Sequence, residues 1–346
     1  MSELKKRIKN LKHYFLNLLL IWLAILFYQT NNYYSRFLRS ETQTTILVLA
    51  IAYTILGLAF YLFRPSHKIS ASKGTILFRA LKRSIKDSCN YIRLFNVKIR
   101  KPIPRLEKHE KTALLFIIVK IFFLPLMLNF FFANYNSVKH QLPNLLSNGT
   151  LLSIPSFNNI LFPFILASIF LFDTLWFAFG YTFEAGFLKN KVRSVEPTIF
   201  GWVVALASYP PFNGTITKYV NWYANDYIVF FNDTLTFTIR IIIVLSLLIY
   251  LSATFALGTK CSNLTNRGIV SRGPYRFVRH PAYISKNLAW WLTLIPILSW
   301  PAILSMGAWS FIYHLRSITE ERHLIKDPDY QEYVKKVKYR YIPFVY

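Results

Sequence analysis

Residues 287–315 read NLAWWLTLIPILSWPAILSMGAWSFIYHL, an apolar run broken only at Pro296 and Pro301. As one helix it is long enough to cross a bilayer, whose hydrocarbon core takes roughly 20 apolar residues. Its flanks argue against a crossing. Arg272, Arg276, Arg279 and Lys286 stand before it, and seven Lys and Arg follow within 316–346. Basic residues on both sides of an apolar run belong in one aqueous compartment. Two short helices turning at Pro296–Pro301 satisfy both ends, because proline cannot continue a helix. A hairpin is therefore expected, bringing 272–286 and 316–346 together. Irregular backbone at membrane depth is tolerated when it is packed inside protein.

The rest of the chain supports a membrane setting. It has 346 residues, 54% hydrophobic and 18% aromatic, and its long apolar runs place it among multispanning proteins rather than soluble globules. Spans are expected at 14–28, 44–63, 113–133, 159–187, 198–212 and 235–257. The fold class is thus all-α, a polytopic membrane protein of about six spans plus the C-terminal hairpin. The net charge of +26 would suggest nucleic acid in a soluble protein. With a cytoplasmic N-terminus, however, the inner segments hold 35 Lys and Arg and the outer loops 4. The positive-inside rule accounts for such a bias, so no nucleic-acid partner is expected. Both termini are expected in the cytoplasm, in the inner or plasma membrane if the source is prokaryotic. No small-residue cleavage site follows Tyr28, so the first span reads as retained. Cys89 and Cys261 fall in inner segments as reduced thiols, without metal-ligand spacing.

Residues 1–250 form an N-terminal membrane region of unknown role, ahead of a C-terminal region at 251–346. Within the basic inner segment 64–112, Phe78, Leu81, Ile85, Ile92 and Phe95 recur at helical spacing among Lys82, Arg83, Lys86 and Arg93. That pattern predicts an amphipathic helix on the anionic inner leaflet, ended by Pro102 and Pro104. The outer loop 134–158 reads as irregular. Asp173 sits mid-span, and Lys120 lies at a comparable depth in an antiparallel span, so a buried pair is expected. Arg240 sits near an outer helix end, where it can snorkel.

Chemistry concentrates in the last hundred residues. Gly273-Pro274-Tyr275-Arg276 is followed by Arg279-His280-Pro281-Ala282-Tyr283, then Glu320-Glu321, Tyr330, Tyr333 and Tyr339-Arg340-Tyr341-Ile342-Pro343. This constellation resembles the C-terminal signature of the isoprenylcysteine carboxyl methyltransferase family and its relatives, the phospholipid N-methyltransferases. The resemblance covers roughly residues 250–346 and implies an integral membrane enzyme using S-adenosyl-L-methionine. By resemblance, His280, Tyr283 and Glu321, joined by Glu320, Tyr333 and Arg340, contact the cofactor; Arg279 is a further cofactor-binding candidate, and Arg276 and Glu320 are the candidate catalytic residues. The chain departs from the pattern at Ser285, where the family usually has Gly, and at Asp327-Pro328, where it often has a Phe-Gly-like turn.

Those residue types suit methyl transfer. The reaction is an in-line displacement needing no metal, only aligned reactants, excluded water and groups that grip the cofactor. Arg or His can pair with its carboxylate, acidic groups with its amine or ribose, and aromatic faces with its sulfonium. Adjacent glutamates diverge by about 100° on a helix, so one of Glu320 and Glu321 should face the pocket and the other cap or pair with Arg316 or Arg322. His280 and Glu321 are placed at the aqueous edge, where their loss should weaken cofactor binding and leave melting unchanged. Lys286 reads as a plain helix-end charge. The acceptor should be lipophilic and enter from the bilayer. Arg276 as a carboxylate clamp leans towards the carboxylate of a prenylated cysteine, with a lipid amine as the alternative. Membrane lipids are the other expected partners, and the oligomeric state stays open. Two competing readings remain, an NADPH-dependent sterol-reductase-like enzyme and an inactive membrane scaffold. Sterol reductases share Arg-His-Pro-x-Tyr but typically have Asn where this chain has Ala282, which favours the methyltransferase.

Overall fold

A computed structural model describes residues 3–63, 72–95, 106–147 and 153–345. It is 75% helical with almost no strand, and among the described residues five helices are long and apolar enough to cross a membrane. This is an all-α polytopic membrane architecture. The chain divides into two compact units, residues 1–129 and 130–346.

The first unit contains α1 (Glu3–Thr30), α2 (Asn32–Phe37), α3 (Ser40–Phe63), α4 (Lys73–Phe95) and the start of α5 (Lys108–Ser147). α1 and α3 form an antiparallel pair, in which Asn10 donates to the Tyr61 carbonyl and Tyr14 to that of Thr54. Their other faces are apolar and exposed, as at Leu23, Ile55 and Leu56. The expected amphipathic helix is α4, with Phe78, Leu81 and Ile85 exposed on it. The side chains of Ile92 and Phe95, together with Pro102 and Pro104, lie outside the described residues. α5 runs on to Ser147, so most of the predicted irregular loop at 134–158 is helix instead. Pro143 is tolerated near its end.

The second unit positions the chemistry. α6 (Ile154–Ser156) passes through a π turn into α7 (Phe162–Thr182), followed by β1 (Ser194–Val195), α8 (Ile199–Leu206), α9 (Phe212–Ile216) and α10 (Asp233–Leu257). β2 (Thr265–Asn266), α11 (Pro281–Leu292), α12 (Trp300–Leu324) and α13 (Pro328–Lys336) complete it. The core between α7, α10 and α11 is built from side chains such as Phe162, Leu166, Ile243, Leu247 and Ala289. β1 and β2 pair antiparallel, Ser194 opposite Asn266.

α7 and α10 run parallel. At one end Asn158 donates to the Asp233 carbonyl at 3.0 Å. At the other the Asn263 N–H donates to the Tyr181 hydroxyl, and a Cβ on Gly180 would collide with the Cys261 carbonyl. The chain between them must therefore return along their whole length. A sixth span was expected at 198–212, but α8 has eight residues, about 12 Å of helix against a hydrocarbon layer of roughly 30 Å. Pro210 and Pro211 stop it. The return is completed by α9 and a largely non-helical stretch over 217–232, whose backbone is satisfied by side chains. Trp309 donates to the Val220 carbonyl, Ser305 to that of Asn221, and Thr293 accepts the Asn225 N–H. Arg240 does not snorkel. It is buried and donates to the carbonyls of Asn158, Tyr227 and Ile228, as irregular backbone inside a membrane requires.

The hairpin forms as the prolines predict. α11 and α12 are joined through a single 3-10 turn at Ile295–Ile297 and a non-helical step before Trp300, with Trp290, Leu294, Ala302, Met306 and Trp309 packed at the bend. The Trp291 indole donates to the Ser310 hydroxyl, which donates to Asn287. Residues 279–283 and 313–321 are thereby brought within bonding distance.

Candidate active site

Local turns place the motif residues. Gly273 has φ +60°, a left-handed conformation that favours glycine, and a Cβ there would press on Ala256 at 3.1 Å. The chain then enters α11 at Pro281, a first-turn position where the missing N–H costs nothing. The N–H groups of Arg279 and His280 donate to the carbonyls of Tyr339 and Arg340, at 3.0 and 2.9 Å. The Arg-His-Pro segment and the closing Tyr-Arg are thus paired backbone to backbone.

Glu321 lies at the centre of these elements. One of its oxygens accepts from Arg279 Nε and His280 Nε2, both at 2.9 Å, and from Arg340 Nε at 3.1 Å. The other accepts from an Arg340 terminal nitrogen at 2.8 Å. Burial opposes its ionisation, but the bonds from His280 and Arg340, with the Arg279 charge, hold the carboxyl well below the usual range. Arg279 also donates to the carbonyls of Val337 and Lys338. Tyr333 donates to the Tyr275 carbonyl at 2.6 Å and packs with Tyr330 and Val337. Arg279, His280, Glu321 and Arg340 are therefore each other's partners, in a knot that ties α11, α12 and the C-terminal segment, while Tyr333 anchors α13.

Glu320 points elsewhere. It accepts from the Tyr283 hydroxyl at 2.8 Å and lines a cleft with Tyr283, Arg316 and His323. Glu196, Gly201 and Ala205 form the opposite wall, with residues 262–265 beside them. The space is about 420 Å³, open solvent at the mouth included. Burial pushes the Tyr283 phenol well above its ordinary value, against the pull of the Arg316 charge, so it donates to Glu320 as a neutral hydroxyl. Its ring stacks on His280 at 5.3 Å. The buried Arg316 guanidinium lies over Tyr283 at 5.4 Å and Tyr209 at 5.5 Å, and donates to Asn263 Oδ1. Two buried polar atoms in this wall have no hydrogen-bond partner, Glu196 Oε2 and Asn263 Nδ2.

Of the expected site residues, six meet around the knot and its Tyr283–Glu320 edge: Arg279, His280, Tyr283, Glu320, Glu321 and Arg340. Arg276 does not join them. It is exposed, with its guanidinium 4.6 Å over the Phe277 ring. The glutamate turned from the cleft pairs with neither Arg316 nor Arg322. Arg322 instead reaches Glu196 at 3.2 Å and Thr198 at 2.6 Å. Ser285, at the Gly position of the pattern, is buried and donates to the Pro281 carbonyl at 2.7 Å. Asp173 accepts from Tyr250 and Thr254, each at 2.6 Å. Sequence reasoning missed Glu196 and Asn263, which lie in short connecting segments with no local signal. Arg316 had one, standing four residues before Glu320 and so on the same helix face.

Residues 230–327 match the family model of phospholipid methyltransferases. No curated protein matches the chain, and no solved structure does. The matched segment contains α10, α11, α12 and both glutamates, while Tyr333 and Arg340 lie beyond it. The match supports a membrane methyltransferase acting on lipid-like substrates.

Proposed function

We propose that the Glu320 cleft is the cofactor site of an S-adenosyl-L-methionine-dependent methyltransferase, facing the cytoplasm, with a lipophilic acceptor entering from the bilayer. The observation that carries this reading is the pair of unspent buried atoms, Glu196 Oε2 and Asn263 Nδ2, in a wall shared with Arg316 and Glu320. Leaving a buried polar atom unpaired costs about 1–3 kcal/mol, so the wall is complementary to a polar ligand. The donor set fits the proposed cofactor. Arg316 suits its carboxylate, Glu320 and Glu196 its ammonium and ribose hydroxyls, and Asn263 its base edge. When bound, the cofactor supplies an electrophilic methyl group.

The chain's own work is orientation and exclusion of water. Tyr283 fixes Glu320 through its hydroxyl, and His280 supports Tyr283 from behind by stacking. The Glu321 knot holds His280. The case for a prenylated-cysteine carboxylate rested on Arg276 as a clamp. Arg276 stands at the exposed rim, so the acceptor is proposed only as a lipophilic group presenting a lone pair. Calorimetry on detergent-purified protein, titrating S-adenosylhomocysteine and NADPH in parallel, tests the proposal. Saturable binding of S-adenosylhomocysteine alone is expected. Binding of NADPH alone would assign a reductase, and binding of neither would leave a scaffold.

A further inference from the structure

Lys286 lies on α11 three residues after Tyr283. Its ammonium is enclosed by three rings, 5.0 Å from Tyr250, 5.3 Å from Trp290 and 5.4 Å from Phe170. Phe170 and Tyr250 belong to helices apolar enough to span a membrane, so the charge stands inside the layer rather than at a helix end. Among the described residues its three donors make no hydrogen bond and no ion pair within 4.0 Å. The carboxylates in electrostatic range are Asp173 and Asp226. Asp173 has both oxygens taken by Tyr250 and Thr254. Aromatic faces stabilise a cation but leave its hydrogen-bonding capacity unspent, and an intramembrane charge of that kind points to a bound partner.

We propose that Lys286 holds the oxyanion of the lipophilic acceptor, a role that rests on the methyltransferase reading of the Glu320 cleft. Side chains three apart on a helix lie about 5–6 Å from one another. An anion on Lys286 therefore sits about one turn deeper than the Tyr283–Glu320 edge. A lipid whose phosphate is separated from its nucleophile by a short spacer fits that offset. A carboxylate that is itself methylated carries its charge at the cleft and leaves Lys286 unfilled.

The test measures lipid binding to the full chain in detergent, independently of turnover. The probes are lysophosphatidylethanolamine, an S-prenylated cysteine with a free carboxylate, and dodecylamine, which has no anion. Lys286→Met should weaken an anionic probe at least tenfold, leave dodecylamine unchanged and preserve S-adenosylhomocysteine binding. Lys286→Arg, which keeps the charge, should recover most of the loss. A loss confined to lysophosphatidylethanolamine identifies a phosphate, and one confined to the prenylcysteine contradicts the offset and overturns the proposal. Equal loss on all three probes, or on none, overturns the proposal. So does a result in which Lys286→Met couples to Asp226→Asn in thermal unfolding while lipid binding is unaltered, since Lys286 would then only balance Asp226. Retained binding of S-adenosylhomocysteine by the variant keeps these failures separate from failure of the cofactor reading.

Discussion

Glu320 and Glu321 are neighbours in sequence and opposites in environment. Around Glu321 every strong donor in reach is bound to the same carboxylate, so Arg279, His280 and Arg340 are committed to one another. Around Glu320 the polar groups line open space, and two buried atoms in the facing wall are unpaired. The contrast separates residues that build a site from residues that serve it. A motif quoted as a single string contains both kinds.

The largest effect should come from breaking the knot. Removing one partner of a largely buried ionic cluster leaves the others uncompensated, a cost that reaches about 3–5 kcal/mol when burial is complete. Glu321→Gln should therefore lower the thermal midpoint substantially in detergent. Placing Glu321 and His280 at an aqueous edge led to the opposite expectation, that melting would be unaffected. The structure places His280 inside and Glu321 partly inside the protein, in a knot that closes the hairpin against the C-terminal segment, so a fall in the midpoint is expected instead. An unchanged midpoint would place the knot among the dispensable contacts.

Acid should dissect the same region in two steps. His323 is buried, which lowers its pKa, and it bonds Ser194 at 2.8 Å. Its contribution is therefore complete above its ordinary value of 6.5 and falls as pH drops through the lowered one. Glu321 is held below its ordinary 4.5, so its contribution is complete above that value and is lost on further acidification. Melting followed from pH 8 to 3 should show both losses, and Glu321→Gln should remove only the more acidic one. A variant that retains the more acidic step would detach it from Glu321.

Much of this architecture was legible in the sequence. Charge on both sides of residues 287–315, with Pro296 and Pro301 between, sufficed for the hairpin, because membrane insertion is governed by those local features. The apolar runs likewise located α1, α3, α5, α7 and α10. The return crossing was not legible as such. The 198–212 run is apolar enough for a span, and only tertiary donors such as Arg240 and Trp309 allow a largely non-helical path in its place. In the site, spacing brought the motif residues together but could not divide them between knot and cleft, since that depends on which face of α12 meets which loop. Glu196 and Asn263 join the cleft through the return crossing and the 262–265 loop, which no local pattern connects.

The smallest effect should be at Arg276. It is exposed and touches only Phe277 among its described ring contacts, and surface substitutions of that kind change stability by about 0.5 kcal/mol or less. Arg276→Ala should leave both melting and S-adenosylhomocysteine affinity unaltered in calorimetry. A large loss of affinity would place Arg276 in the cofactor site after all.

The division between the two glutamates is most directly tested by S-adenosylhomocysteine calorimetry on Glu320→Gln, with the thermal midpoint recorded on the same preparation. Glu320 sits in the cleft and outside the knot, so the variant should melt with wild type and bind about 1–3 kcal/mol more weakly, the worth of a charged hydrogen bond. Wild-type affinity in a Glu320→Gln protein that melts normally would contradict the account.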